Sequence, residues 1–516
     1  MPEPFLASQP MKIFTIDNVR AIERINLETR KASIEDMSTV IGEKAAAEIA
    51  SRWRPTRQLV VFAGPGNNGA YALSTTRQLL ELGFRPSIYL FNINGMKINP
   101  LCRHERDRLM GAFPSADFTE VTRDFHVPEL SSRTLVLDGL FGAGLQAPLE
   151  GGFQSLVRYI NESGAAVVSI DLPSGLFPDW NPHALSRNII HASLTLALQF
   201  PHPSYFFAEN SELVGEWKTL ELGYSDETIR ATPTSYHLVE LAEVRNLLRP
   251  RPRFCSKATF GDALIIGGSQ GMMGAPMFAA AAALRSGAGK VTLHVPQCGL
   301  DVAQTRVPEA LCRIDAGRTS LTDILPDRTY DAYGVGPGMG TANATVAALE
   351  KFIKNVDHPL VLDADALNCI AEMPSLLNFI PKLSVITPHA GEFDRLFGAH
   401  TGDEARIHKA LEMSRHYNIL IVLKGHYTAL VRPDGKVYFN SSGTPALATP
   451  GSGDVLTGII TSLMAQGYKP EVSALMGVFI HGRAGEIASR TQGQFGVLAS
   501  DVVDSIGPAI KEIMQQ

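Results

Sequence analysis

The stretch Gln58-Leu-Val-Val-Phe-Ala-Gly64-Pro-Gly-Asn-Asn-Gly-Ala-Tyr71 is a short apolar run that stops at a glycine turn and reopens as an amphipathic, helix-length segment, Tyr71 to Leu82. Strand, tight turn and helix make the unit from which parallel sheets are built. The same change of period recurs outward along the chain. Apolar runs stand at Ser87 to Phe91, Thr134 to Asp138, Ala165 to Asp171 and Ser193 to Gln199, with amphipathic segments such as Phe153 to Asn161 between them. Upstream, Val19, Ile22 and Ile25, then Val40, Ile41, Ala45 and Ile49, have helical spacing and predict two helices within residues 16–53. Downstream, Asp226 to Arg253 lacks a strand rhythm. There Arg249-Pro-Arg-Pro-Arg253 cannot continue a helix, because proline lacks the N–H and restrains its predecessor. A second alternation follows, with runs at Ala263 to Ile266, Lys290 to Val295, Ala332 to Val335, Leu360 to Leu362, Ser384 to Ile386, Ile419 to Leu423 and Thr428 to Val431. The sequence thus predicts two three-layer α/β domains, residues 1–228 with a Rossmann-like sheet and residues 229–516 with a sheet of their own.

Composition narrows the function. Hydrophobic residues make up 45% of the 516 and charged residues 19%, too apolar for a disordered chain. Lys and Arg number 46 against 52 Asp and Glu, a net charge of −6 that leaves no footprint for nucleic acid or an anionic membrane. Cys102, Cys255, Cys298, Cys312 and Cys369 are scattered, without CxxC pairs, which suits a reducing compartment. Met1 to Thr15 lacks the apolar stretch of a secretory leader, and no run approaches the roughly 20 apolar residues that span a bilayer. The expectation is a cytoplasmic enzyme acting on small molecules.

In the first half, Gly64-Pro-Gly-Asn-Asn-Gly69 opens a helix, where glycines let backbone N–H groups approach a phosphate; a plain tight turn needs the same glycines. Ordinary NAD binding would want an acid at the end of the next strand, which instead ends Phe91-Asn92. Two later strand ends carry carboxylates into loops: Asp138-Gly-Leu-Phe-Gly-Ala-Gly144 and Asp171-Leu-Pro-Ser-Gly175. A doubly wound sheet brings such ends to one crevice, so Asn68, Asp138, Asp171 and Ser174 can converge. Their hard oxygens suit a hard cation such as potassium, and a remaining carboxylate can serve as acid or base. Either Asp taken singly could instead cap its turn. These three motifs resemble the NAD(P)H-hydrate epimerase family over residues 15–225. The resemblance implies that Asn68, Asp138 and Ser174 hold K+, that Asp171 meets the hydrated nicotinamide as catalytic group, and that Asn67, Asn68, Gly69, Gly142, Ala143, Gly144 and Leu145 complete the substrate site. It implies interconversion of the R and S hydrates. Where the family reads Asn-Asn-Gly-Gly-Asp-Gly, this chain has Asn67-Asn-Gly-Ala70-Tyr71-Ala72. An added methyl at Ala70 and a neutral phenol at Tyr71 predict weaker substrate binding, or a partner domain without catalysis.

The second half carries Thr449-Pro-Gly451-Ser-Gly453-Asp454 before the helical run Val455 to Ala465. Unpaired N–H groups at a helix start can stabilise a transferring phosphoryl group, and Asp454 beside them can take the proton of an attacking hydroxyl; a structural N-cap is the plainer use. Strand Ile419 to Leu423 runs into Lys424-Gly-His-Tyr-Thr428, placing a cation at a sheet edge suited to nucleotide phosphates. Thr387-Pro-His389 places a histidine before a helix, and Asp363 and Asp365 either hold magnesium through water or cap the next helix. There is no GxxxxGK[ST] loop. Lys257, Gly267-Gly-Ser-Gln-Gly271, Gly334-Val-Gly-Pro-Gly-Met-Gly340, Asp363-Ala-Asp-Ala-Leu-Asn368, Thr387-Pro-His-Ala-Gly-Glu392 and Gly451-Ser-Gly-Asp454 together resemble the ADP-dependent NAD(P)H-hydrate dehydratases, of ribokinase-like fold. That resemblance implies nucleotide contacts from Lys424, Gly425, His426, Tyr427, Thr428 and Gly453, and substrate contacts from Ala275, Gly338, His389 and Asp454. It also implies ADP or ATP with Mg2+, an anion hole of the Gly451 to Gly453 amides, and a homo-oligomer. Fusion of the two halves is the arrangement of bifunctional NAD(P)H-hydrate repair enzymes. The rival reading is a kinase of a vitamin-precursor alcohol with a non-catalytic first half.

Overall fold

In the computed structural model, which describes residues 11–30, 33–93, 98–181 and 186–515, the run Gln58–Ala63 shows why the first sheet has two covered faces. Val60 and Phe62 enter one core cluster and Leu59, Val61 and Ala63 another, so successive side chains are buried on opposite sides. Most of Met1 to Thr15, on which the leader reading rests, lies outside the described residues. The chain separates into two units, one of Lys12–Thr234 and one that joins Met11 to the residues from Ser235 onward.

The first unit has strands β1 (Gln58–Ala63), β2 (Pro86–Phe91), β3 (Asp117–Val121), β4 (Thr134–Gly139), β5 (Ala166–Ile170), β6 (Leu194–Leu198) and β7 (Glu216–Leu220). They lie in the order β3-β2-β1-β4-β5-β6-β7, every neighbouring pair parallel. Chain direction along the sheet reverses between β1 and β4, which opens a crevice above their carboxyl ends. Helices Ile16–Arg30 and Ile34–Arg52 form as their spacing predicts, the second held by a capping box between Ser33 and Asp36.

The second unit has β8 (Tyr236–Val239), β9 (Asp262–Ile266), β10 (Lys290–Val295), β11 (Leu311–Ile314), β12 (Ala332–Val335), β13 (Leu360–Leu362), β14 (Val385–Ile386), β15 (Leu420–Leu423), β16 (Ala429–Val431) and β17 (Val437–Asn440). Their order is β8-β17-β16-β15-β14-β13-β12-β9-β10-β11. From β15 through β9 to β11 neighbours are parallel, whereas β16 runs antiparallel to both β15 and β17. The switch of direction falls between β9 and β12. Strand β8 corrects the reading of Asp226 to Arg253 as strandless: Tyr236–Val239 pairs in parallel with β17, and helices Asp226–Ala231 and Leu241–Leu247 flank it. Four residues are too few for a period to register in sequence. No described helix is long and apolar enough to cross a membrane.

Candidate active sites

In the first unit the helix begins at Asn67, four residues earlier than predicted, with Gly66 as its N-cap. Gly69 must lack a side chain because a Cβ there would lie 1.8 Å from the Gly64 carbonyl oxygen. Its role is packing of turn against helix, off the cavity. That cavity, of about 670 Å³, lies above the crevice and is lined by Asn67, Asn68, Tyr71, Gly142, Ala143, Gly144, Leu145 and Asp171 among others. Ala70 and Ala72 are fully buried in the core and take no part in the lining, so their methyl groups do not intrude on a ligand, contrary to the expectation at Ala70. Tyr71 does line it, and burial pushes its phenol up, so it stays neutral.

Asp138 is fully buried at the end of β4. Its Oδ1 accepts the Ser174 hydroxyl at 2.5 Å, and its Oδ2 accepts the Ser169 hydroxyl at 2.8 Å and the Ser174 N–H at 2.9 Å. Burial nevertheless pushes its pKa up against those donors. Asn68 donates through Nδ2 to the Phe141 carbonyl at 2.9 Å, while its buried Oδ1 has no partner. Asn68 Nδ2 and Ser174 Oγ meet on that Phe141 carbonyl, and the orphaned amide oxygen of Asn68 is the kind of group a monovalent cation would complete. Asn68, Asp138 and Ser174 are therefore brought together and fit K+.

Asp171 sits just past β5 with φ of 66°, a left-handed conformation rare for a side-chain-bearing residue. The turn is held from three sides. Oδ2 accepts the Ala143 N–H at 3.0 Å, Oδ1 lies 3.0 Å from His202 Nε2, and buried Tyr205 donates to the Asp171 carbonyl. The sequence reading missed His202, Tyr205 and Glu23. Glu23 lines the same cavity, with its carboxyl raised to about 7 by burial and then by the charge of Asp171.

In the second unit, Ser452–Ala465 is helical, so Asp454 lies within the first turn rather than before it. Gly451, at φ 88°, is the N-cap, and a Cβ there would stand 2.9 Å from the Phe278 ring. The Ser452 N–H already bonds the Thr449 carbonyl at 3.3 Å, and Val455 N–H reaches Gly451 O at 3.1 Å. The amides of Gly451, Gly453 and Asp454 have no such bond, which takes Ser452 out of the expected Gly451 to Gly453 anion hole and adds Asp454 to it. Ser452 Oγ lies 3.0 Å from His481 Nε2, and burial lowers that histidine to about 4, keeping it neutral. No sequence signal marked His481, which arrives from the helix Pro470–Gln492.

Lys424, at the end of β15, is 2.9 Å from Asp363 Oδ1 and 3.8 Å from Glu392 Oε2. Burial alone would lower its pKa; the two carboxylates carry it above the usual lysine range. Asp363 Oδ2 also accepts the Thr457 hydroxyl at 2.7 Å, and Asp365 accepts the Gly340 N–H at 2.9 Å. Both carboxylates are committed within the protein, and among the described residues no group of three acids or histidines is placed to hold a metal. Asp454 is half-buried, its carboxyl raised to about 7, first by burial and then by Asp363, with Lys424 opposing. His389 caps the helix Ala390–Phe397 through Nδ1, which accepts from Gly391 N–H at 3.0 Å. A cavity of about 640 Å³ is lined by His389, Lys424, Gly425, His426, Thr428, Ser452 and Gly453, among others; Tyr427 is absent from that wall. The loops after β9 and β12 meet across the switch point, where a Cβ on Gly338 would lie 3.1 Å from that of Ala275.

Two family models match the chain, one described as YjeF-related protein N-terminus over residues 35–204 and one as NAD(P)H-hydrate dehydratase over residues 263–508. The bifunctional NAD(P)H-hydrate repair enzyme Nnr of Moorella thermoacetica is 32% identical over 474 residues, 89% of this chain and 88% of the relative. Its counterpart in Coxiella burnetii is 32% identical over 491 residues, 94% of this chain and 96% of the relative. Among solved structures, an ADP/ATP-dependent NAD(P)H-hydrate dehydratase from Bacillus subtilis, co-crystallised with ATP and Mg2+, is 29% identical. It covers 53% of this chain and 97% of its own, at a TM-score of 0.47.

Proposed function

The chain belongs to the family of bifunctional NAD(P)H-hydrate repair enzymes, and from that membership we propose that its two units share one repair task. The second dehydrates the S hydrate of NAD(P)H at the expense of an adenine nucleotide; the first interconverts the R and S hydrates. The observation that carries the reading is Asp454 in the first turn of Ser452–Ala465, its carboxyl at about 7, with its own and the Gly453 amide unpaired and Gly453 lining the nucleotide-sized cavity.

Hydroxide leaves the hydrated ring poorly. Asp454 takes the proton of the C6 hydroxyl as that oxygen bonds to the transferring phosphorus, and the Gly453 and Asp454 amides face the developing negative charge. Phosphate then departs from C6 with the bonding pair while the ring nitrogen supplies electrons, and loss of a proton from C5 restores the reduced ring. Lys424, Gly425, His426 and Thr428 line the nucleotide cavity, and Ala275, Gly338 and His389 stand for the substrate. Magnesium would travel with the nucleotide phosphates, because Asp363 is spent on Lys424 and Thr457. In the first unit K+ would be held by Asn68, Asp138 and Ser174, supplying a fixed positive charge near Asp171.

Purified protein supplied with each hydrate epimer and with ADP or ATP should regain the absorbance of reduced nicotinamide and release inorganic phosphate. Accumulation of a stable phosphate ester would instead establish the kinase reading. Asp454→Asn should lose dehydration by about 100-fold or more while binding nucleotide as before; retained turnover removes the proposed base. Exchanging K+ for tetramethylammonium should slow epimerisation alone. A cytoplasmic site of action is supported by five cysteines without a disulfide, and a homo-oligomer by the family alone, to be checked by sedimentation.

A further inference from the structure

Four residues of the helix Ile16–Arg30 line the first unit's cavity: Ile16, Val19, Arg20 and Glu23. Their spacing of three, four and seven is one stripe of a helix, so Glu23 faces the cavity as part of its wall. Asp171 lies on the same cavity from a different element, the turn after β5, anchored by Ala143 and His202. The two carboxyl groups are close enough that the charge of Asp171 raises Glu23. Tyr224 donates to Glu23 Oε1 at 3.4 Å, His202 and Arg20 act on it as positive charges, and the neutral Tyr71 phenol shares its surroundings. A pair of carboxyl groups on one cavity, unlike in environment, divides into an acid and a base.

We propose that Glu23 is the second catalytic group of the epimerisation, the acid that works opposite Asp171 on the hydrated ring. The inference rests on the epimerase reading of this unit. Inverting C6 needs one C–O bond broken and another made on the other face. The proton of Glu23 passes to the C6 hydroxyl, which leaves as water while the ring nitrogen supplies the electron pair. A water then adds to C6 from the opposite face and gives its proton to Asp171. The excess proton on Asp171 returns to Glu23 through solvent, so no atom or electron is gained or lost. The reverse inversion exchanges the two roles. With Glu23 near 7, its protonated form is present at physiological pH, as a general acid requires.

The test uses the full chain without nucleotide, which idles the second unit, and separates the epimers by chromatography. Wild-type epimerisation should fall as pH climbs through about 7, because Glu23 must carry its proton. Glu23→Gln should lower kcat by about 100-fold or more and lose that limb, with a melting temperature no lower than the parent's and undiminished dehydration of the S hydrate once nucleotide is added. Tyr224→Phe removes the hydrogen bond that favours the ionised form and should move the limb to higher pH. Glu23→Gln with wild-type rate and pH profile overturns the role of Glu23 and leaves the epimerase reading standing. A wild-type chain that leaves the R hydrate at its uncatalysed rate overturns that reading and this inference together.

Discussion

Asp454 shows how much one position can owe to its neighbours. Its carboxyl stands at about 7 in the folded chain against an ordinary 3.8, so between those values the folded state holds a proton that the unfolded state has lost. Folding is then favoured below about 4, and that advantage is lost as pH rises through about 7. Asp454→Asn should therefore unfold at a higher temperature than the parent at pH 8 and at a matching one at pH 4, a thermal scan at the two pH values being the check. Catalysis keeps what stability would discard. Asp363 raises Asp454 as well, so Asp363→Asn should shift the rising limb of dehydration toward lower pH. The same change leaves Lys424 without its closest counter-charge and should cost about 3 kcal/mol in urea unfolding. Asp454 was legible because a glycine-flanked acid before an apolar run is a helix-start signal. Glu23, His202 and His481 were not, since each reaches its site from a segment whose own pattern reads only as helix or loop.

At the level of elements, what holds Asp454 in place is the close approach of Ser452–Ala465 to the helix Gly274–Arg285. A Cβ on Gly458 would lie 2.0 Å from the Ala279 carbonyl oxygen, so only hydrogen allows the two backbones to meet. Gly458→Ala should force them apart, costing about 2 kcal/mol in a urea midpoint and lowering kcat through displacement of the first turn. Strands buried on both faces, such as β1, β9 and β12, were legible as unbroken apolar runs. Their edge counterparts β3, β7 and β11 were missed, because Asp117–Val121, Glu216–Leu220 and Leu311–Ile314 are mostly exposed or half-buried and each is interrupted by charged residues. The helix at Asn67 began earlier than expected because Asn-Asn-Gly reads as a turn, yet Gly66 is its N-cap.

Across the whole molecule, each unit has its own sheet, its own cores and its own crevice at a switch of strand order. The two activities should accordingly fail one at a time. Asp171→Asn should abolish R-to-S conversion and leave dehydration of the S hydrate within twofold, whereas Asp454→Asn should do the reverse; parallel assays on each epimer decide it. Period and glycine punctuation alone were enough to settle two α/β sheets and the loops that carry Asn68, Asp138, Asp171, Lys424 and Asp454, because those features are local to a few consecutive residues. Folding alone settled that Asp363 pairs with Lys424, that the Ser452 amide is bonded while those of Gly453 and Asp454 are free, and that Glu23 and Asp171 line one cavity. Such facts depend on which distant side chains meet in a water-poor space, and desolvation there sets the charge each one carries.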